Sequence, residues 1–401
     1  MELKKIHISD IGKVVTGKTP RTSIVENYGG DIPFLTPSDD LSYKSVPKTG
    51  KTLTEQGLNE VKNCLLPPHS VCVSCIGTDL GKVVMTSEPT ITNQQFNSII
   101  PNRRFDADFV YYLMTLVGKE LNYLSKTSTA VPIINKSSFS NYEVEVPDLE
   151  TQEKIASILY SLDSKIELNR RINDNLEQQA QALFKSWFVD FEPFRGGEFV
   201  DSELGLIPKG WRVVSLGEVT KQITEKVGNR EDVTVLSPIN SGELVLSEEY
   251  FTKQVFSKDL SKYLIVNPLS FAYNPARINI GSIGLNTFDF VGCVSPVYVV
   301  FECEPNYQYF FDFFKRTAMF KDEVALRAIG GVRQSLGYND LSLIKIIYPT
   351  SDVVVEFNNL YLKMKEVMIK NTDQNEKFIS LRDSLLPKLM SGELKINEFN
   401  C

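Results

Sequence analysis

Few residues of this 401-residue chain have the types and spacing that reaction chemistry requires. Cys72 and Cys75 form a CxxC pair, which is the spacing of zinc ligands. The pair stands in "SVCVSCIG", which alternates like a strand and has no second cysteine or histidine pair nearby. Because a structural zinc ion needs four ligands, the sequence favours two ordinary buried thiols over a metal centre.

Two other patterns approach catalytic motifs without matching them. "GTDLGKV" (77–83) has three residues between its glycines where a phosphate loop has four, and valine follows the lysine. "NPAR", which begins at Asn274, hints at the Asn-Pro-Pro-aromatic motif of adenine methylases, but Ala and Arg replace its last two residues. His7 and His69 are the two histidines, so histidine-dependent catalysis has little to draw on. We therefore expect a chain without catalytic activity.

The composition favours a soluble globular protein. Hydrophobic residues make up 42% of the chain, with 24 Phe and 16 Tyr, whereas disordered chains lack so much apolar surface. No apolar run is long enough to span a bilayer, and "MELKKIHISD" lacks the apolar core of a signal peptide, so we expect a cytoplasmic location. The net charge is −7, so any surface for a polyanion must be assembled by folding.

The sequence repeats itself at an offset of 202 residues. "SFSNYEVEVP" (138–147) aligns with "DLSLIKIIYP" (340–349), and the match continues without a gap through the residues that follow. Looser matches lie upstream, between "ISDIGKVVTGKT" (8–19) and "VSLGEVTKQITE" (214–225), and between "SCIGTDLGKVV" (74–84) and "YNPARINIGSIG" (273–284). Each half is therefore expected to hold many short strands followed by one long helix.

This pattern predicts an α+β fold with two tandem mixed α/β domains, each followed by a long helix. The second half is separated from the first by the Pro/Gly-rich segment "FEPFRGGEFVDSELGLIPKGW". The expected boundaries are 1–148 for the first domain, 149–190 for the central helix, 191–211 for the connector, 212–348 for the second domain, and 349–401 for the C-terminal helix and tail.

Both long helices carry apolar residues at heptad spacing. The first is free of proline and glycine from Thr151 to Phe188, which corresponds to roughly 55–60 Å of helix. The second is expected from Asp352 to a stop at Pro387. The seam residues are Ile155, Leu159, Leu162, Ile166, Leu176, Ala180, Leu183 and Trp187 in the first helix, and Phe357, Tyr361, Met364, Met368, Phe378, Leu385 and Leu389 in the second. An amphipathic helix lying on its own domain is the alternative.

Asparagines interrupt both seams at equivalent positions. A duplicated unit tends to fold with a pseudo-twofold axis, under which the two helices pair as an antiparallel coiled coil. A polar seam residue costs stability but penalises slipped registers, because the amides pair in one register. We therefore expect Asn169 to face Asn375, and Asn173 to face Asn371. The alternative is that these asparagines face solvent at a local bend.

Three long stretches resemble a known family. "ETQEKIASILYSLDSKIELNRRINDNLEQQAQALFKSWFVDFEPF" (150–194), "SELGLIPKGWRVVSLGEV" (202–219) and "SLLPKLMSGELKI" (384–396) are similar to the shared regions of the specificity subunit of type I restriction-modification enzymes. "VVTGKTPRTS", "SCIGTDLGKV" and "TNQQFNSI" resemble segments of its target-recognition domains. The resemblance covers essentially the full chain, although the second recognition domain is harder to match.

The resemblance implies one target-recognition domain in each half, reading one part of a bipartite site in double-stranded DNA. It also implies that the paired helices act as a spacer and dock two modification subunits, which methylate adenine, and that ATP-dependent restriction subunits join the assembly. The chain itself would bind no cofactor, since S-adenosylmethionine, ATP and Mg²⁺ are expected on the partner subunits. A coiled-coil adaptor with two protein-binding domains is the alternative, and the acidic net charge suits it.

Under this resemblance, DNA contacts are expected from polar residues in glycine-containing loops. Arg or Lys suits guanine and Asn or Gln suits adenine, while Ser, Thr and Lys hold phosphates. The candidates in the first half are Lys18, Thr19, Arg21, Ser74, Thr78, Asn93, Gln94 and Gln95. Those in the second half are Thr224, Lys226, Asn274, Arg277, Asn279, Arg327, Arg333 and Gln334. For each of them, the alternative is a side chain that satisfies its own turn.

Overall fold

The computed structural model describes residues 2–77, 79–126, 133–251, 256–328 and 335–394. The chain divides into two compact units. The first unit comprises Met1–Ile172 and Lys370–Cys401, and the second comprises Asn173–Ile369. Each unit therefore combines one mixed α/β domain with a segment of each long helix.

The described residues of the first domain form nine short strands and four α-helices. Their bounds are β1 Lys4–His7, α1 Ile8–Ile11, β2 Gly12–Thr16, β3 Tyr28–Leu35, β4 Thr52–Leu53, α2 Glu55–Val61, β5 Val71–Ser74, β6 Val83–Met85, β7 Ile91–Thr92, β8 Phe96–Pro101, α3 Ala107–Lys126, α4 Lys136–Ser140 and β9 Glu143–Val146. The strands form a four-stranded sheet of order β2-β8-β5-β6, a three-stranded sheet of order β4-β3-β7, and the pair β1-β9.

The first long helix, the connector and the second domain follow. Their elements are α5 Leu149–Phe188, β10 Phe199–Ser202, β11 Gly205–Pro208, β12 Arg212–Ser215, α6 Leu216–Val219, β13 Thr220–Ile223, β14 Thr234–Pro238, β15 Leu244–Leu246, α7 Ser247–Tyr250, β16 Leu264–Val266, β17 Phe271–Tyr273, β18 Ile283–Leu285, β19 Gly292–Val294, β20 Val299–Cys303, α8 Gln308–Phe314, α9 Ala318–Arg327, α10 Tyr338–Leu341, β21 Lys345–Tyr348 and α11 Ser351–Ser391.

The sequence repeat corresponds to a repeated arrangement of strands. The antiparallel sheet β13-β20-β17-β18 matches β2-β8-β5-β6, and the pair β12-β21 matches β1-β9. A parallel pair recurs as well, β3 with β7 in the first unit and β14 with β19 in the second. The two domains differ in two layers: the single helix α3 is replaced by the two shorter helices α8 and α9, and the three-stranded sheet β4-β3-β7 is replaced by the four-stranded sheet β15-β14-β19-β16. The expected α+β fold with tandem mixed domains is confirmed.

Strand β5 shows why these short segments form sheets with two covered faces. Its side chains alternate, so Val71 and Val73 pack into one hydrophobic core with α3, while Cys72 packs into a second core with Val84 and Phe96. Burial raises the pKa of the Cys72 thiol to about 12, which keeps it protonated and unreactive. Cys72 and Cys75 are both buried, as the sequence predicts.

The long helices share a core in each unit, through some of the expected seam residues and through their neighbours Phe184, Phe188 and Leu386. In the first unit, Ile155 and Leu159 of α5 share a core with Leu386 and Leu389, near the end of α11. In the second unit, Phe184 and Phe188 near the end of α5 share a core with residues near the start of α11. Within the first unit, Ile155 lies with Leu389 and Asn169 donates to Asn375, so α5 and α11 run antiparallel there. The predicted antiparallel coiled coil is confirmed.

The expected stop of the second helix at Pro387 is wrong. Helix α11 passes through Pro387 and ends at Ser391. Proline removes one backbone hydrogen bond and crowds the preceding turn, which commonly ends or bends a helix. Here the residues on both sides, Leu386, Leu389 and Met390, are buried in the core of the first unit. Their burial favours continuation of the helix over that local cost.

The connector is more ordered than its proline and glycine content suggests. Strands β10 and β11 form a two-stranded antiparallel hairpin between α5 and the second domain. The Trp211 ring lies 5.9 Å from Phe188 at the end of α5 and 5.1 Å from Phe194 in the connector, measured between centroids. These aromatic contacts fasten the connector to the second unit. Among the described residues, the helices are too short or too polar to cross a bilayer.

Candidate nucleic-acid interface

The three candidate loops of the first domain begin at one edge of its four-stranded sheet. Strand β2 ends at Thr16, which pairs with Asn97, and β5 ends at Ser74, which pairs with Phe96. Strand β8 starts at this same edge, so the loop 93–95 that precedes it lies beside the loops that follow β2 and β5. Antiparallel pairing therefore brings together segments that are far apart in the sequence.

Backbone hydrogen bonds hold the loop after β2 against the loop 93–95. Gly17 donates to the carbonyl of Phe96 at 3.1 Å, and Lys18 donates to that of Thr92 at 2.9 Å. The Thr19 hydroxyl donates to Gln94 Oε1 at 2.7 Å. Lys18 and Gln94 are exposed on this joined surface. The structure thus places a cation, a hydroxyl and an amide together, as recognition of phosphates and bases requires.

The loop after β5 is joined to the loop 93–95 through Gln95. The Cys75 amide donates to the Gln95 carbonyl at 2.7 Å, and Ile134 donates to the Cys75 carbonyl at 3.0 Å. The Gln95 side chain accepts a hydrogen bond from Asn93 Nδ2 at 2.8 Å. Asn93 is 9% exposed. Asn93 therefore shapes this loop from within, whereas its neighbour Gln94 faces outward.

Asn97 belongs to this site, although its sequence position gave no reason to single it out. It lies on β8 and is 3% exposed. Its Oδ1 accepts a hydrogen bond from the Thr16 hydroxyl at 2.6 Å, and its Nδ2 donates to the Ile134 carbonyl at 3.0 Å. A buried amide with both ends bonded fixes the segments that it joins. The available signal was an asparagine inside a buried strand, where asparagine is uncommon.

Two other candidates of the first domain, Arg21 and Ser74, lie in different surroundings. The backbone and guanidinium of Arg21 donate to Glu60 at 3.0 and 3.2 Å. The backbone hydrogen bond from Arg21 is the main cause that lowers the pKa of Glu60 below its usual value. Ser74 is 1% exposed, because it is the last residue of β5 rather than a loop residue. Thr78 lies outside the described residues.

The candidate loops of the second domain begin at the equivalent sheet edge. Strand β13 ends at Ile223, opposite Val300, and β17 ends at Tyr273, opposite Val299. Thr224 and the loop that starts at Asn274 therefore leave the sheet on the same side. This repeats the edge from which the loops of the first domain leave.

The loop between β17 and β18 is ordered by its own asparagine. Asn274 Oδ1 accepts a hydrogen bond from the Ala276 amide at 3.0 Å, which closes an Asx turn. Leu336 donates to the Pro275 carbonyl at 3.0 Å, so the segment before α10 lies against this loop. The contact matches the one between Ile134 and Cys75 in the first domain. Arg277 is exposed at the far side of the turn.

The remaining described candidates of the second domain, Thr224, Lys226, Asn279 and Arg327, are less closely grouped. The segment after β13 turns toward β16, since Ile265 donates to the Glu225 carbonyl at 2.9 Å and Lys226 bridges to Leu264. Thr224, Lys226 and Asn279 are exposed. Arg327 is paired with Glu323 one helical turn away in α9, at 2.9 Å. Arg333 and Gln334 lie outside the described residues.

The seam asparagines engage the opposite helix. In the first unit, Asn169 Nδ2 donates to Asn375 Oδ1 at 3.0 Å, the pairing expected from the sequence, and Asn375 Nδ2 donates to the Ile166 carbonyl at 3.3 Å. In the second unit, Asn173 Nδ2 donates to the Met368 carbonyl at 3.0 Å. The pairing of Asn173 with Asn371 stays a prediction. We refer to the four asparagines, Asn169, Asn173, Asn371 and Asn375, as the amide notch.

Comparisons with known proteins show which proteins this chain is similar to. Residues 1–178 match the family model described as the type I restriction modification DNA specificity domain. The chain is 29% identical to the type I restriction enzyme MjaIX specificity subunit of Methanocaldococcus jannaschii, over 99% of this chain and 94% of that one. The chain is therefore similar to type I restriction-modification specificity subunits along nearly its whole length.

Further members of this family are similar over shorter or more divergent stretches. The type I restriction enzyme HindI specificity subunit of Haemophilus influenzae is 37% identical over 42% of this chain and 38% of its own length. The crystal structure of the type I restriction-modification system S subunit from M. genitalium has the same fold, with a TM-score of 0.52. That match covers 97% of this chain and 96% of the other at 14% identity. The curated relatives are named as specificity subunits of type I restriction enzymes.

The amide notch is expected to control helix register at a cost in stability. Replacing Asn375 with leucine should lower the free energy of unfolding by about 1–2 kcal/mol, because Asn169 then loses its 3.0 Å acceptor. Replacing Asn169 and Asn375 together with leucine should recover that loss, since two apolar seam residues can pack. Urea denaturation followed by circular dichroism measures both effects.

A matched control is available on the same helix. Asn359 of α11 is exposed, so Asn359→Leu should change the free energy of unfolding by no more than about 0.5 kcal/mol. A double leucine variant that is less stable than Asn375→Leu alone would contradict the role of the Asn169–Asn375 pair.

Proposed function

We propose that this chain is the DNA-reading subunit of a type I restriction-modification complex, with each domain reading one half of a bipartite site in double-stranded DNA. The observation that supports the proposal is the recurrence of polar loops at the same edge of two equivalent four-stranded sheets. A single edge of this kind is common, because strands end in polar turns. Two equivalent edges in a duplicated chain match the two halves of a bipartite site.

The side chains at these edges suit a division between phosphate contacts and base contacts. Lys18 and Lys226 are exposed cations, and lysine side chains commonly contact phosphate oxygens. Gln94 and Arg277 are exposed and carry the paired donors or acceptors that distinguish adenine and guanine in the major groove. Asn93 and Asn97 are buried, and we assign them to shaping the loops rather than to touching DNA.

The helix pair is proposed as the docking surface for two modification subunits that methylate adenine. Both helices expose large apolar side chains to solvent, including Leu168 of α5 at 57% and Ile369 of α11 at 53%. Exposed apolar residues on a helix that is already paired favour a further protein contact. Restriction subunits would join the same cytoplasmic assembly. S-adenosylmethionine, ATP and Mg²⁺ would bind those partner subunits.

The salt dependence of DNA binding tests the proposal against the adaptor alternative. The chain is assembled with its modification subunit, and binding to a duplex that carries the site methylated in cells is measured by fluorescence anisotropy. If the complex contacts six to ten phosphates, affinity should fall about 10³- to 10⁵-fold between 50 and 200 mM salt. A duplex with both half-sites scrambled is the control, and it should bind more weakly at every salt concentration.

Two results would favour the adaptor instead. One is an affinity that stays flat across the salt series, because contacts with phosphates release counterions. The other is equal affinity for the intact and the scrambled duplex. Methylome sequencing of cells with and without this chain identifies the site that the experiment requires.

A further inference from the structure

In the first unit, a cluster of charged side chains ties the recognition domain to both long helices. Asp163 of α5 is at the centre, and its side chain is 8% exposed. Its carboxylate accepts hydrogen bonds from the Tyr112 hydroxyl of α3 at 2.6 Å and from the Arg382 guanidinium of α11 at 2.8 Å. Arg382 also donates to Asp383, which Lys119 of α3 approaches to 3.3 Å. We call these five residues the first joint.

Arg382 stands at a seam position of α11, which makes its presence informative. It follows Asn375 by seven residues, one heptad, and its equivalent in α5 is the buried Ala180. An apolar residue could fill this position without desolvation, and buried ion pairs often stabilise a fold no more than apolar replacements do. The hydrogen bonds of a guanidinium to two carboxylates form in one geometry. A role in fixing geometry therefore explains an arginine at position 382 better than a role in stability does.

A second attachment in the first unit comes from the loop between β3 and β4. The Lys44 ammonium lies 2.5 Å from Asp108 of α3. It also lies 5.1, 4.8 and 4.7 Å from the ring centroids of Tyr111, Tyr112 and Tyr160. Attraction between a cation and aromatic faces is strongest when the cation is partly desolvated, and the Lys44 side chain is 15% exposed. Tyr160 belongs to α5, so this loop is bound to the long helix as well.

The second unit has a joint of different composition at its own recognition domain. Arg316, which lies between α8 and α9, donates to Glu177 of α5 and, at 2.8 Å, to Asp312 of α8. Asp312 also pairs with Lys315 at 2.7 Å, and the Lys315 side chain is 2% exposed. Lys315 donates to two backbone carbonyls of the domain, those of Gly242 and Ile283. We call Glu177, Asp312, Lys315 and Arg316 the second joint.

We propose that the two joints are sets of positioning residues that fix the angle between each recognition domain and the helix pair, and thereby the number of base pairs between the half-sites. This inference rests on the proposed function. Successive base pairs of a duplex are about 3.4 Å apart and turned by about one tenth of a turn. If a tilt moves the DNA-contacting loops of a domain by a few ångströms, the domain can therefore bind a half-site that is one base pair nearer or farther away. Helix length alone does not restrict such a tilt, whereas directional ionic contacts between the domain and the long helices do.

The test compares methylomes of cells that carry the full restriction-modification complex with one variant of this chain at a time. Arg382→Met breaks the first joint, Arg316→Met breaks the second, and Arg382→Lys keeps the charge of the first joint. Arg171→Met is the matched control, because Arg171 is an exposed arginine of α5 paired within its own helix to Glu167. The readout is the spacing between the two half-sites among methylated positions, together with the bases in each half.

The wild-type complex and Arg171→Met should methylate sites of one spacing. Arg382→Met and Arg316→Met should each raise the share of sites that are one base pair shorter or longer by at least about tenfold, with the bases of both halves unchanged. Arg382→Lys should lie between these extremes. A merely structural role would reduce methylation at all sites without changing the spacing.

Several results would overturn the proposal. It fails if both methionine variants keep the single wild-type spacing, if they relax the bases rather than the spacing, or if both abolish methylation while circular dichroism shows them folded. A wild-type complex that methylates no bipartite site would instead refute the proposed function. The two failures are therefore distinguishable.

Discussion

Replacing Phe357 with alanine should lower the free energy of unfolding of the second unit by about 3–5 kcal/mol. Phe357 is fully buried at the start of α11. Its ring centroid lies 5.8 Å from that of Phe184, 5.2 Å from that of Phe188 and 5.5 Å from that of Phe313. Truncation would remove one ring from a cluster that joins both long helices to α8, and the cavity left behind would not be filled.

The position of the tryptophans makes this expectation measurable in one unit. Trp187 and Trp211 are the two tryptophans of the chain, and both belong to the second unit. Tryptophan fluorescence during urea denaturation therefore reports on that unit, while circular dichroism reports on the whole chain. Leu362→Ala, at a 42% exposed position of α11, is the control and should change stability by no more than about 0.5 kcal/mol. An unchanged fluorescence midpoint for Phe357→Ala would refute this account of the core.

Replacing Gly17 with alanine should displace the loops that we propose contact DNA in the first domain. The equivalent loops of the second domain should stay in place. A Cβ atom at Gly17 would lie 2.1 Å from the Asn93 carbonyl oxygen and 2.3 Å from Thr92 Oγ1, distances that no carbon atom tolerates. The loop after β2 must therefore move away from the loop before β8. We expect the affinity of the assembled complex for its DNA site to fall at least about tenfold, since misplaced contacts cost roughly 1–3 kcal/mol each.

The methylome separates this effect from general damage. Gly17→Ala should relax the bases of one half-site and preserve those of the other, because the second domain is untouched. Gly50→Ala is the control, as a Cβ there would meet Asp39 Oδ1 at an ordinary 3.4 Å. Equal relaxation of both halves would indicate that the first domain does not read its half-site separately.

Periodic features of the chain were predictable from sequence, because a repeat can be recognised without knowledge of the tertiary structure. The 202-residue repeat and the heptad spacing predicted the tandem domains and the antiparallel helices, and both are confirmed. The helix end at Pro387 was predicted wrongly, because proline usually ends a helix. Here buried leucines on both sides favour a continuous helix. Tertiary packing decided the outcome, and it is not visible in a short window.

The polar sites were less predictable, since their hydrogen bonds join distant segments. Asn97 contacts residues 81 positions before and 37 positions after it, so its role depends on strand pairing. Arg21 is anchored by Glu60, 39 residues away, whereas the pairing of Arg327 with Glu323 follows from helical spacing alone. Ser74 was placed in a loop because the boundary of β5 is uncertain by one or two residues from sequence.

The interruption between α8 and α9 bears on the history of the chain. The first copy keeps one uninterrupted helix of 20 residues at this place, whereas the second breaks it after Phe314 and restarts it at Ala318 with Thr317 as the cap. The strands on either side are conserved in arrangement between the copies. Duplication thus left a common frame in which one copy could drift in its helical layer without forcing a matching change in the other.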